Sequence, residues 1–174
     1  EQQTHEVPAT TPNLPPAGSA YISPADWHAL YANGIIIYNV SHDRFIGIGS
    51  LAPPATGSQV HSFDSMVTMD VIQPGQAPQR VTAPASVSVR VTSSTDSGTT
   101  RFFDTEMLSL NLSGGTLPAS VMIRESPSKA SLGRTSVRLA IDGTYRIESF
   151  FDIFTEISLD GGQSWSEAVT APGT

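Results

Sequence analysis

The sequence predicts an all-β fold: an antiparallel β-sandwich with one short N-terminal helix and an extended, Pro-rich N-terminal tail. Apolar and polar residues alternate with a period of two through most of the chain after residue 60, which is typical of half-buried strands. Turns that contain Gly or Pro separate these stretches at short intervals. Only 14% of the residues are charged, and a composition rich in hydroxyl and turn residues suits an extracellular β-protein.

The first segment, EQQTHEVPATTPNLPPAGSA at 1–20, is predicted to be an extended tail. Its four prolines and few large apolar side chains favour an extended or polyproline-like chain. The strand-like part of the tail consists of Thr4, His5, Glu6 and Val7. We expect this part to add to the open sheet edge of a neighbouring copy, with Val7 and Leu14 filling pockets. The alternative is that the tail folds back along its own domain.

The remaining residues, 21–174, are predicted to form one β-sandwich domain that begins with a helix at about 23–33. Ser23 is a favourable N-cap, Pro24 suits the first helical position, and Gly34 provides a left-handed stop. An apolar face with helical spacing is formed by Trp27, Leu30 and Tyr31.

Everything after the helix is predicted to be strand. The strands are expected at 35–40, 45–51, 60–73, 85–93, 101–112, 119–125, 135–141 and 145–160. The first of these, IIIYNV, is a continuous apolar run and is expected to be covered on both faces. The last would extend for about 50 Å at ~3.3 Å per residue, so we expect a bulge or bend within it.

Charge and composition exclude several classes of function. A net charge of −7 disfavours nucleic acid and anionic lipid as partners, because both require clustered Lys and Arg. The chain has no cysteine, and no apolar run approaches the ~20 residues that span a bilayer, so we expect no membrane insertion. The four histidines lack metal-ligand spacing, and we therefore predict no metal site and no cofactor.

The octet SLDGGQSW at 158–165 matches the Asp-box pattern S-x-D-x-G-x-[ST]-W, which is found in sialidases and other secreted β-proteins. We predict that it stabilises a turn, with Asp160 accepting backbone N–H groups and Trp165 packing beneath the hairpin. The predicted turn-stabilising residues are Ser158, Asp160, Gly162 and Trp165. A sialidase would need several copies of the motif and a cluster of arginines, and this sequence has one copy.

A second group of candidates shares one face of the predicted last strand. Its members, expected on the outer face, are Phe150, Asp152, Phe154 and Glu156. Carboxylates four residues apart lie ~13 Å apart along a strand, too far for a glycosidase pair at about 5–10 Å, unless Asp104 or Glu106 on another strand completes one. We therefore predict no catalytic residues and no enzyme activity. An aromatic surface that binds extracellular polysaccharide is the alternative function for this group.

Three blocks carry a resemblance to a known group of proteins: SPADWHALYANGIII, MIRESPSKASLGRTSVR and SFFDIFTEISLDGGQSW. They resemble an uncharacterised family of secreted bacterial β-rich proteins, whose members carry a signal peptide and sometimes an anchoring segment. The resemblance implies export and a shared fold, and it implies no catalytic residues.

Together these observations predict a secreted structural subunit, located extracellularly or at the cell surface. A chain that begins at Glu1 and not at Met is expected to be a mature form without its leader. The expected partner is the protein itself, in a head-to-tail homopolymer that forms a filament or sheath. A carbohydrate-binding or adhesive module is the alternative.

Overall fold

The computed structural model describes residues 2–170, and the side chains from Glu6 onward. Twelve strands are present in this part of the chain. They are β1 Gln2–Ala9, β2 Ala20–Ile22, β3 His28–Leu30, β4 Ile36–Ile48, β5 Ser58–Ile72, β6 Gln79–Ser97, β7 Thr100–Ser113, β8 Met122–Glu125, β9 Ser131–Leu139, β10 Tyr145–Phe151, β11 Thr155–Ser158 and β12 Ser166–Glu167. The predicted all-β, antiparallel class is confirmed.

All twelve strands belong to one antiparallel sheet, which curls and closes on itself. Strand β7 pairs with β6 along one edge, and with β9 and then β8 along the other. The path from β7 through β6, β5, β4, β2, β1 and β10 returns through β9 to β7. The predicted sandwich is not confirmed, because the two layers that a sandwich needs are parts of one continuous, hydrogen-bonded sheet.

The closed sheet has eight strand positions, four of which are filled by the long strands β4, β5, β6 and β7. Each of the other four is shared by two shorter segments. Strands β2 and β3 both pair with β4, and β9 and β8 both pair with β7. Next to these, β10 pairs with β9, and β11 pairs with β8. The last position holds β1 beside β10 and β12 beside β11.

The core fills the inside of this sheet, and the alternating pattern explains why. In β5 the side chains of Phe63, Val67 and Met69 point inward and are buried, as the sequence predicts. In β6 the inward positions are taken by Val87, Val89 and Val91. Their polar neighbours in the sequence point outward, because successive side chains in a strand face opposite sides.

The predicted helix at 23–33 is wrong. The N-cap signature makes a single turn, in which the Trp27 N–H donates to the Pro24 carbonyl at 3.1 Å. Ser23 is buried, and its hydroxyl instead accepts the Val40 N–H at 3.0 Å. Gly34, with φ of 80°, forms the tight turn between β3 and β4 and does not end a helix. If these residues formed a helix, β3 could not pair with the apolar run that begins β4, and this tertiary pairing overrides the local helix propensity.

The predicted break in the segment 145–160 is present between β10 and β11. At the break the Asp152 N–H donates to the Leu132 carbonyl at 2.8 Å, and the Phe154 N–H donates to the Ser131 hydroxyl at 3.1 Å. The break moves the chain from pairing with β9 to pairing with β8. The single strand predicted at 145–160 is therefore two strands, one paired with β9 and the other with β8.

The tail predicted at 1–20 pairs with its own chain in this structure. Strand β1 runs antiparallel to β10 from Gln2 to Ala9, and it meets β2 at one register pair, Gln3 with Ile22. The connection to β2 then enters the core: Leu14 is 5% exposed, and its N–H donates to the Leu51 carbonyl at 2.9 Å. Residues 2–20 and the rest of the chain thus share one sheet and one core.

Candidate functional site

The Asp-box residues form one hydrogen-bonded turn after β11. The Asp160 Oδ1 accepts the N–H groups of Gln163 at 3.0 Å and Ser164 at 2.9 Å, and Oδ2 accepts the Ser164 hydroxyl at 2.6 Å. The Ser158 hydroxyl donates to Asp160 Oδ1 at 2.8 Å and accepts the Gly162 N–H at 2.8 Å. The carboxylate therefore holds the ends of the turn together, as an Asx-turn does.

These hydrogen bonds lower the pKa of Asp160 to about 2, with the Ser164 hydroxyl as the largest cause and the backbone N–H of the same residue next. A carboxyl with a lowered pKa in the folded state stabilises the fold above its ordinary pKa of 3.8. That contribution is lost as the pH falls toward 2, because the protonated carboxyl accepts these hydrogen bonds more weakly.

We expect Asp160→Ala to lower the melting temperature at pH 7, because the turn loses the acceptor for its backbone N–H groups. The difference between the variant and the parent should shrink as the pH falls from about 4 toward 2. Thermal unfolding followed by circular dichroism measures both effects. Asp26→Ala, in the exposed turn before β3, is the matched control. Equal melting temperatures for the two variants at pH 7 would contradict the turn-stabilising role.

Trp165 packs on a cation beneath the turn. The indole Nε1 donates to the Gly162 carbonyl at 3.1 Å, and the Arg124 guanidinium lies 3.9 Å from the ring centroid. Arg124 Nε and Nη2 both donate to Oε2 of Glu156, at 2.9 and 2.7 Å, while the Ser126 hydroxyl donates to Oε1 at 3.1 Å. Arg124 and Ser126 therefore satisfy the Glu156 carboxylate, which is 5% exposed, while Trp165 packs on the guanidinium.

The predicted outer-face group does not form one surface. Phe150 lies on β10 and is 41% exposed, whereas Asp152 and Phe154 lie in the break that follows. Phe154 is half-buried, with Lys129 Nζ 5.7 Å from its ring centroid. Glu156 is buried and bound by Arg124, so the expectation that it is exposed on the outer face is wrong. The break between β10 and β11 separates these residues and prevents a continuous aromatic platform.

Burial also shifts the pKa values of Glu125 and His42, each of which contacts a hydroxyl group of the fold. Burial raises the pKa of Glu125, although the Ser131 hydroxyl that donates to its carboxylate at 3.1 Å opposes the shift. Burial lowers the pKa of His42 to about 4, and its Nε2 lies 2.6 Å from the Ser65 hydroxyl. The Nδ1 of His61, also buried, lies 2.9 Å from the Leu14 carbonyl oxygen. Among the side chains described from Glu6 to Thr170, no group of His, Asp and Glu has the arrangement of a metal site.

The seat of β1, defined as the edge of β10 from Tyr145 to Phe151, is the remaining candidate site. Val7 pairs with Ile147, which is fully buried, and the next two register pairs are Pro8 with Arg146 and Ala9 with Tyr145. A register shift lies between Thr4 and Val7. The side chains of Thr4 and His5 lie outside the described part of the chain. Glu6 is exposed, and its carboxylate accepts a hydrogen bond from Arg138 Nη2 at 2.8 Å.

Comparison with known proteins gives no match. No protein-family model, no curated protein and no solved structure is similar to this chain. No helix in the described part of the chain is long and apolar enough to cross a membrane.

Sequence reasoning identified the tail but not the edge that receives it. The alternation of Tyr145, Ile147 and Phe151 marks an inward face, but an alternating strand carries no signal that tells which neighbour it pairs with. The cluster of Arg124, Glu156 and Trp165 was also missed. The sequence carried one weak signal for it. Glu156 lies in a strand shortly before Trp165, and an acidic residue that is buried in a strand needs a cation from elsewhere in the fold.

Proposed function

We propose that this protein is a secreted structural subunit that assembles with copies of itself into an extracellular filament or sheath. In the assembly, residues Gln2–Ala9 of one copy would occupy the seat on β10 of the next. The single observation that supports this proposal is the way β1 is held: it has a ladder along β10, but only one register pair with its other neighbour, β2.

Binding of β1 from a second copy would make the same contacts with β10 as binding of the chain's own β1, so the two arrangements would be similar in energy. A second copy supplies the same backbone N–H and C=O groups to β10 and the same half-buried Val7 and Ala9 side chains, of which Ala9 packs against the core. The connection to β2, residues 10–19, contains three prolines, and Pro-rich segments favour an extended chain that reaches away from its own domain. Leu14 would follow the exchanged strand into the neighbour's core.

The geometry of exchange favours a polymer. Giving a strand at one surface and receiving one at another is a heterologous contact, which propagates unless the rotation closes a ring. Glu6 contributes to register, because it contacts Arg138 and Arg146, which face β1 from β9 and β10. These exposed ion pairs add little affinity, about 0–1 kcal/mol each, but they disfavour a shifted pairing.

A disulfide cross-link distinguishes exchange from closure within one chain. The chain has no cysteine, so Pro8→Cys combined with Arg146→Cys introduces one bridgeable register pair between β1 and β10. We expect oxidised protein, refolded at high concentration, to form a ladder of linked multimers on a non-reducing gel, and electron microscopy to show filaments.

The matched control is Ser62→Cys with Ser88→Cys, a register pair between β5 and β6 that belongs to one copy in either arrangement. This control should cross-link as a monomer at every concentration. If the β1–β10 pair also gives only cross-linked monomer at every concentration, the exchange proposal fails.

A further inference from the structure

A groove crosses the outer face of the long strands, away from the seat of β1. It has a volume of about 500 Å³, within the range of pockets that hold small ligands. The side chains that line the groove include Arg44, Ile46, Asp64, Met66, Ser86 and Asn111. They come from four neighbouring strands, β4 to β7, so the groove runs across the strands and has a rigid floor.

Arg44, which lines this groove, has an unfavourable backbone conformation. Its φ is 57°, in the left-handed region that favours glycine, and it lies in the β-bulge between Asp43 and Ile46. The ion pair of its guanidinium is with the adjacent Asp43, at 3.9 Å, and its side chain is 74% exposed. Backbone strain of this kind is concentrated at functional sites. A bulge there changes the direction of a side chain, and glycine, which would relieve the strain, has no side chain to present.

The chemistry around Arg44 combines polar and apolar groups. Asp64 Oδ1 accepts the Ser86 hydroxyl at 3.0 Å, and the exposed Asn111 amide adds both donors and acceptors. Ile46, which is 69% exposed, and Met66 provide apolar surface beside them. A sugar ring presents the matching surfaces, with hydroxyl groups around its edge and C–H groups on its faces.

Charge identifies the class of sugar. The groove is lined by one cation, Arg44, and one anion, Asp64, and Asp43 lies beside Arg44, so the groove has no excess of positive charge, and the whole chain carries −7. An acidic polymer would be repelled by both the carboxylate and the net charge of the protein. We propose that this groove binds a segment of a neutral polysaccharide, with Arg44 and Asn111 donating to its hydroxyl oxygens and Asp64 accepting from its hydroxyl groups.

The test uses the full chain in isothermal titration with cellohexaose, xylohexaose, mannohexaose and maltohexaose, and with hexagalacturonate as the acidic probe. We expect saturable binding of at least one neutral hexasaccharide. Arg44→Gly should weaken that binding tenfold or more while the melting temperature stays equal or rises, because glycine relieves the strain at φ 57°.

Asn39→Gly is the matched control. In the described chain, Asn39 and Arg44 are the two non-glycine residues with positive φ, and the φ of Asn39 is 50°. Asn39 also lies at a bulge in β4, but outside the groove. This variant should keep the affinity of the parent. The proposal is overturned if the parent binds none of the neutral probes, if hexagalacturonate binds more tightly than all of them, or if Arg44→Gly binds as the parent does. None of these results bears on strand exchange, which the cysteine pair tests separately.

Discussion

Replacement of Arg124 by alanine is expected to lower the free energy of unfolding by about 3–5 kcal/mol, because it leaves a buried carboxylate without its cation. Glu156 is 5% exposed, and Arg124 donates to it from both Nε and Nη2. The variant also removes the guanidinium on which Trp165 packs. Urea denaturation at pH 7, followed by tryptophan fluorescence, measures the loss.

Two further variants serve as controls for Arg124→Ala. Arg90→Ala removes the cation of the Arg90–Glu106 pair on β6 and β7, whose side chains are 46% and 34% exposed, and should cost about 0–1 kcal/mol. The double variant Arg124→Met with Glu156→Leu should recover most of the loss, because apolar side chains can replace a buried ion pair. A cost for Arg124→Ala no larger than that for Arg90→Ala would show that Glu156 is hydrated in solution.

Acidification from pH 6.5 to pH 4 is expected to destabilise the fold by about 3 kcal/mol through His42 alone. Burial lowers the pKa of His42 from its ordinary 6.5 to about 4 in the folded state. Between these values the unfolded chain binds a proton that the folded chain does not, so stability falls as the pH falls through this window. Aromatic rings lie beside the imidazole: the ring centroid of His42 is 5.1 Å from that of Phe45 and 6.5 Å from that of Tyr21.

The measurement is urea denaturation at pH 7 and pH 4.5 for the parent and for His42→Gln. Glutamine keeps a hydrogen-bonding group near the Ser65 hydroxyl and does not titrate, so its stability should change much less between the two values of pH. His28→Gln, at an exposed position in β3, is the control and should retain the pH dependence of the parent. A pH dependence that is the same in all three proteins would exclude His42 as its source.

The strands were largely predictable, because their signal is local. Alternation placed Phe63 and Met69 of β5 inside, and the length of the segment 145–160 predicted its break. The helix was mispredicted because Ser23, Pro24 and Gly34 favour a turn as well as a helix end, and only the long-range pairing of β3 with β4 decides between them. Closure of the sheet had no local signal, since pairing β7 with β9 depends on the curvature of the whole sheet.

The candidate sites divide in the same way. The Asp-box was readable because its hydrogen bonds join residues at most four apart, such as Ser158 with Gly162. The environment of Glu156 could not be predicted, because its cation, Arg124, comes from another strand. Trp165 packs on Arg124 only after the turn has formed. The strained Arg44 was invisible in the sequence, where nothing distinguishes a bulge in β4 from a regular strand.

The pairing of β1 with β10 has a consequence for the timing of folding. Almost the whole described chain is synthesised between the two strands, which at about 5–20 residues per second takes on the order of ten seconds. Contacts between such distant segments also form late, because the entropy of closing the intervening loop opposes them. Each chain therefore passes through a period in which its first strand is free and the edge of β10 is uncovered. A chain that folds alone has one strand for that edge, whereas chains that fold side by side have several. If strand exchange occurs as proposed, the local density of folding chains would therefore set the balance between monomer and polymer.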